Sequence, residues 1–138
     1  MTAGLIAGST MAVYQSEVPF IELTLTPESD KEKIEALIHL YAEKYDVPYT
    51  RIYNTIACET ANTFDPNIQS KIRYTFSSAK RGIEIGEREQ SYGLAQIHLP
   101  DHPEVTMAQA VNPDFAIEFM ASRMRNMTPS KSIWYCER

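Results

Sequence analysis

The dipeptide Asp65-Pro66 constrains the middle of this chain more than any other feature. A proline pushes the residue before it out of the helical region, so a helix approaching it has to stop short. Such a helix is written just upstream, where Ile52, Tyr53, Ile56, Ala57 and Thr60 recur at helical spacing. The pattern predicts a helix that begins after the Val47-Pro48 break and ends near Asn62, with Glu59 in its last turn. A carboxylate there faces the negative end of the helix macrodipole. Apolar neighbours such as Ile56 and Phe64 add desolvation, and both effects raise a carboxyl pKa. A Glu that stays protonated near neutral pH can act as a general acid. On an ordinary surface the same residue simply closes a helix.

The segments on either side read in the same terms. Ser29-Asp30-Lys31-Glu32 is a capping box, and behind it Ile34, Leu37, Ile38, Tyr41 and Tyr45 form one apolar stripe. This predicts a first helix running to about Asp46, with His39 on its solvated side. From Lys71 to Gln90 the period changes. Ile72, Tyr74 and Phe76 alternate with Lys71, Arg73 and Thr75, Ser77 to Lys80 can turn, and Gly82 to Gly86 can return, which predicts a two-stranded hairpin. Lys71, Arg73, Lys80 and Arg81 would edge a cleft or form a solvated face. Glu84, Glu87 and Glu89 are candidate second carboxylates, whose distance from Glu59 spacing alone does not fix. Asp65 is expected to cap a turn.

In Ser91-Tyr92-Gly93-Leu94-Ala95-Gln96-Ile97, Gly93 allows a positive φ or a close approach to the backbone. Gln96 offers both a donor and an acceptor. Tyr92 is either a flat binding face or a core side chain. His98-Leu99-Pro100-Asp101-His102-Pro103 holds two His and one Asp. Its prolines forbid a helical pair of ligands and no third strong ligand is close, so it reads as a rigid, solvent-facing turn and not a metal site. Thr106-Met107-Ala108-Gln109 is a second capping box. Asn112-Pro113-Asp114 caps a helix that is apolar nearly all round from Phe115 to Met127, hence central and buried, ending at Thr128-Pro129-Ser130. Ser132 to Cys136 should form a last short helix or turn, with Trp134 as core plug or cleft wall.

At 138 residues, 43% hydrophobic and 22% charged, the chain fits one ordinary globular domain. Residues 28–138 carry it. Residues 1–27 show no helical period, only a weak alternation over Phe20–Leu25 between Pro19 and Pro27, and read as an arm or leader. No Lys or Arg precedes Lys31, so the charged start of a signal peptide is missing. No stretch has transmembrane length, so stable membrane insertion is not expected. A net charge of -5 argues against nucleic acid as a partner. Two cysteines allow at most one intramolecular disulfide. Cys58 neighbours Glu59 and Cys136 lies near the chain end. Export would bond them and pin the C-terminal segment to the helix carrying Glu59.

The run Glu59-Thr60-Ala61-Asn62-Thr63-Phe64-Asp65-Pro66-Asn67-Ile68-Gln69-Ser70, followed by Gly93-Leu94-Ala95-Gln96-Ile97, resembles the goose-lysozyme-like, soluble-lytic-transglycosylase domain family. That family is marked by Glu-Ser-x-Phe-x-Pro-x-x-x-Ser and then Gly-Leu-Met-Gln-Ile. Here Thr60 stands for Ser, two residues are added before Phe64, and Ala95 stands for Met. The resemblance covers roughly residues 29–138. It implies a mainly α, lysozyme-like single domain with a small β-hairpin. It implies lytic cleavage of the β-1,4 bond between N-acetylmuramic acid and N-acetylglucosamine in peptidoglycan glycan strands, with a 1,6-anhydro product and no cofactor. Glu59 would serve as acid and then base. Ser70, Ser91, Gly93 and Gln96 would line the glycan cleft, and Tyr92 would offer its face to a pyranose ring. The setting would be the cell envelope or the secreted space. Two alternatives are a hydrolytic lysozyme using a second carboxylate from residues 84–89, and a non-catalytic glycan-binding module.

Overall fold

The computed structural model of the chain describes residues 29–137. The arm expected over residues 1–27 lies outside them. The described part is mainly helical. In chain order it has α1 (Asp30–Tyr45), α2 (Tyr49–Glu59), β1 (Ser91–Tyr92), β2 (Ile97–His98), α3 (Met107–Ala110) and α4 (Pro113–Met124), joined by irregular segments and single 3-10 turns. Among the described residues no helix is long and apolar enough to cross a membrane.

Local chemistry sets most of these boundaries. The Ser29 hydroxyl accepts from the Glu32 N–H, and the Glu32 carboxylate accepts from the Ser29 N–H, which closes the capping box of α1. Asp46 then turns left-handed (φ 54°) and ends the helix. His39 is exposed, as its side of the helix implied, and stacks on Tyr49 at 4.1 Å. Thr106 and Gln109 form the second capping box, and Asn112 accepts from the Phe115 N–H at the head of α4. α4 supplies Ala116, Ile117, Phe119, Met120, Ala121 and Met124 to the core. It packs against α1, which in turn packs on α2. Tyr41 and Tyr45 of α1 donate to Asp114 and Glu118 of α4 along the edge of that contact.

Two expectations need correction. Helix α2 ends at Glu59, three residues short of the Asn62 expected, because Ala61, Asn62 and Phe64 all have positive φ (51°, 61° and 51°). The cost of that tight reversal is offset by Thr60, which is wholly buried: its hydroxyl donates to Ile56 O at 2.8 Å and accepts from the Phe64 N–H at 3.1 Å. Asp65 then caps the following turn by accepting from the Asn67 N–H.

The second correction concerns the hairpin over residues 71–90. The chain does turn and return there, but it forms isolated bridges, Arg73 with Arg88 and Ser78 with Ile83, and no continuous strands. Of the alternating set only Tyr74 is buried, whereas Ile72 and Phe76 are exposed. One covered side chain does not give a strand face enough burial to hold a regular ladder. The two-stranded sheet lies instead in the glycine turn, where Ser91 pairs with His98 and Tyr92 with Ile97.

Candidate active site

Glu59, half-buried as the last residue of α2, opens into a cleft of about 710 Å³. Beside Ala61 and Thr63 just after α2, three parts of the chain wall it: residues 68–76 with Arg81 and Glu89 from the irregular segment, Ser91, Gln96, His98 and Asp101 around the sheet, and Ile133 to Tyr135 near the C-terminus. The Glu59 Oε1 accepts from the Cys136 N–H at 3.2 Å. Burial holds the Glu59 carboxyl above its ordinary value. The Cys136 N–H opposes that shift, and the negative charge of Glu89 adds to it.

The C-terminal segment owes its position to three anchors. Cys58 and Cys136 are joined by a disulfide, with their Cα atoms 5.8 Å apart. Trp134 is buried and donates from Nε1 to Ala95 O at 2.7 Å, so it is both core plug and cleft wall. Arg51 pairs with the buried carboxylate of Glu137 and also donates to the carbonyls of Met124 and Met127.

Of the site residues expected from the sequence, Glu59, Ser70, Ser91 and Gln96 share the cleft. Gln96 donates from Nε2 to Gly93 O at 2.9 Å, and its carbonyl oxygen has no hydrogen-bond partner among the described residues. Tyr92 and Gly93 are not among the cleft-lining residues. Tyr92 packs against the core from the sheet. Gly93 (φ 75°) lets the chain pass under α3: a Cβ there would stand 1.9 Å from Ala110 O. The close approach that its missing side chain permits is to the protein's own backbone. Phe64 also lies away from the cleft and packs on Tyr53 at 5.1 Å.

Among the three candidate second carboxylates, the fold selects Glu89. Its Oε2 accepts from the Ser70 hydroxyl at 2.6 Å, and its backbone is held by Ile72 O and the Gln69 side chain. Glu84 and Glu87 are exposed and outside the cleft. Lys71, Arg73 and Arg81 line the cleft, and Lys80 does not.

His98 departs from the solvent-facing turn expected of it. It sits in the cleft wall within a polar chain. Tyr74 Oη accepts from the Gln90 N–H at 3.0 Å and shares a hydrogen bond with His98 Nε2 at 2.8 Å. His98 Nδ1 then donates to Asp101 at 2.7 Å, and Arg81 pairs with the other carboxylate oxygen. Against the cost of burial, His98 and Arg81 hold the Asp101 carboxyl below its ordinary range. This chain docks the irregular segment onto β2. Among the described residues no group of three or more His, Cys, Asp or Glu side chains is arranged to hold a metal.

Comparison with known proteins finds no match among family models, curated proteins or solved structures.

Proposed function

We propose that the chain is a peptidoglycan-cleaving enzyme of the lytic-transglycosylase kind, on a lysozyme-like fold, working in the cell envelope or outside the cell. The observation that carries this reading is Glu59, half-buried at a helix end, opening into the cleft, with its carboxyl biased toward the protonated form. In that state it can protonate the oxygen leaving the β-1,4 bond between N-acetylmuramic acid and N-acetylglucosamine. The substrate's own acetamido group stabilises the cation-like carbon left behind. Glu59, now a carboxylate, removes the proton of the muramic 6-hydroxyl, which attacks that carbon and closes the 1,6-anhydro ring. One Glu serves both steps, and no external nucleophile or cofactor is required. Ser70, Ser91 and Gln96 supply polar contacts to the sugars. The Cys58–Cys136 disulfide supports an oxidising compartment.

Hydrolysis is the second reading, and Glu89 favours it. A carboxylate in the same cleft, oriented by Ser70, is what a glycoside hydrolase uses to activate water or to stabilise an intermediate. Mass spectrometry of fragments released from purified peptidoglycan separates the readings. Anhydromuramic ends are expected. Ordinary reducing ends, heavier by one water, would move the assignment to hydrolysis with Glu89. No fragments at all would leave the glycan-binding module.

A further inference from the structure

Seven large hydrophobic side chains are exposed among the described residues, and four of them, Ile72, Phe76, Ile133 and Tyr135, line this one cleft. They come from two separate parts of the chain, the irregular segment and the C-terminal segment. Exposed apolar groups gathered on one concave surface mark a place where something binds. Tyr135 is the extreme case at 85% exposed, and its ring and hydroxyl have no partner among the described residues. Its backbone, by contrast, is fixed. Trp134 on one side is buried and hydrogen-bonded, and Cys136 on the other carries the disulfide and the bond to Glu59. An aromatic ring left in solvent on an anchored backbone is a preorganised contact surface that loses little freedom on binding.

The charges say what fits there. Glu59, Glu89 and Asp101 face Lys71, Arg73 and Arg81, so both signs of charge line the cleft and neither dominates. Such a mixed lining favours neither a polyanion nor a polycation. It suits a neutral ligand with an apolar face and many hydroxyl and amide groups, which describes an N-acetylated pyranose ring.

We propose that Tyr135 is a sugar-stacking subsite of the cleft, taking the flat face of one N-acetylhexosamine ring of a β-1,4 glycan. This rests on the reading of Glu59 as the residue that cleaves the strand, and it moves the aromatic platform from Tyr92, which packs on the core, to the disulfide-anchored C-terminal segment.

The test is calorimetric titration with the β-1,4-linked tetramer of N-acetylglucosamine, using the full chain carrying Glu59→Gln so that nothing is cleaved. Adding Tyr135→Ala or Tyr135→Leu is expected to weaken binding about tenfold, whereas Tyr135→Phe keeps it within about twofold, because the ring and not mere apolarity makes the contact. All three should melt with the parent, since the side chain touches almost nothing in the fold. Undiminished binding by the Ala variant would overturn the subsite alone, and an equal loss in the Phe variant would overturn stacking in favour of a hydroxyl contact. A parent that fails to bind the tetramer would overturn the glycan cleft and the subsite together.

Discussion

The backbone N–H of Cys136 donates to Glu59 Oε1, joining residues 77 positions apart, while the side chain of the same cysteine is bonded to Cys58, the residue before Glu59. The candidate acid is thus held by the segment that walls its own cleft. The disulfide is one of three anchors on both the wall and the hydrogen-bond donor.

Replacing both cysteines by Ser should therefore lower stability and activity together. The sulfurs close a loop with a sequence separation of 78. Chain entropy alone assigns such a closure about 4 kcal/mol, less where the native geometry is strained. Urea denaturation measures the loss, and a change within error would mean that Trp134 and the Arg51–Glu137 pair hold the segment unaided.

Tyr74→Phe removes the acceptor of the Gln90 N–H and the hydrogen-bond partner of His98 while keeping the buried ring. About 1–2 kcal/mol of stability should be lost. The loss should be local, so hydrogen exchange should quicken over residues 71–90 and stay the same in α1 and α4. Uniform quickening, or none, would contradict the docking role given to this side chain.

Gly93→Ala places a methyl group against the Ala110 carbonyl at a backbone angle of φ 75°. The left-handed conformation alone costs on the order of 1 kcal/mol or more for a residue with a Cβ, and the clash adds to it. The melting temperature should fall clearly. If the variant instead melted normally and lost only glycan affinity, Gly93 would be a ligand contact and not a packing one.

The helices were legible because their signals are local. Both capping boxes, the Asn112-Pro113 start and the stripe of α1 depend on residues within a few positions of one another. The end of α2 was less so. The Asp65-Pro66 signal stops the helix from below, but the buried Thr60 hydroxyl stops it earlier by stabilising three left-handed residues, and burial of a Thr is a tertiary fact. The segment 71–90 is less legible because alternation looks the same whether a whole face is buried or, as here, only Tyr74 and, on the return, Ile83. Glu89 was visible only as one of three acids until Ser70 and the path of the backbone chose it. Tyr135 carried no signal of its own, and its place depends on the disulfide and on Trp134.

The raised Glu59 carboxyl has a consequence for stability. Burial, reinforced by Glu89 and opposed by the Cys136 N–H, puts its folded value above the ordinary 4.5. The folded chain therefore binds that proton more tightly than the unfolded one. The stability contributed by this group is full below pH 4.5 and is lost as pH rises through the raised folded value. Glu59→Gln keeps an acceptor for Cys136 but cannot ionise. Its melting temperature should exceed that of the wild type at neutral pH, with the gap closing in acid. A gap independent of pH would mean that Glu59 has no raised pKa.

The central claim is that Glu59 supplies the proton that cuts the glycan. Turbidity clearing of purified peptidoglycan by the wild type and by Glu59→Gln, measured side by side near the pH of greatest wild-type activity, tests it most directly. Loss of a general acid is expected to slow clearing by about a hundredfold or more while the variant stays folded. Clearing at a comparable rate by a folded Glu59→Gln variant would contradict the account.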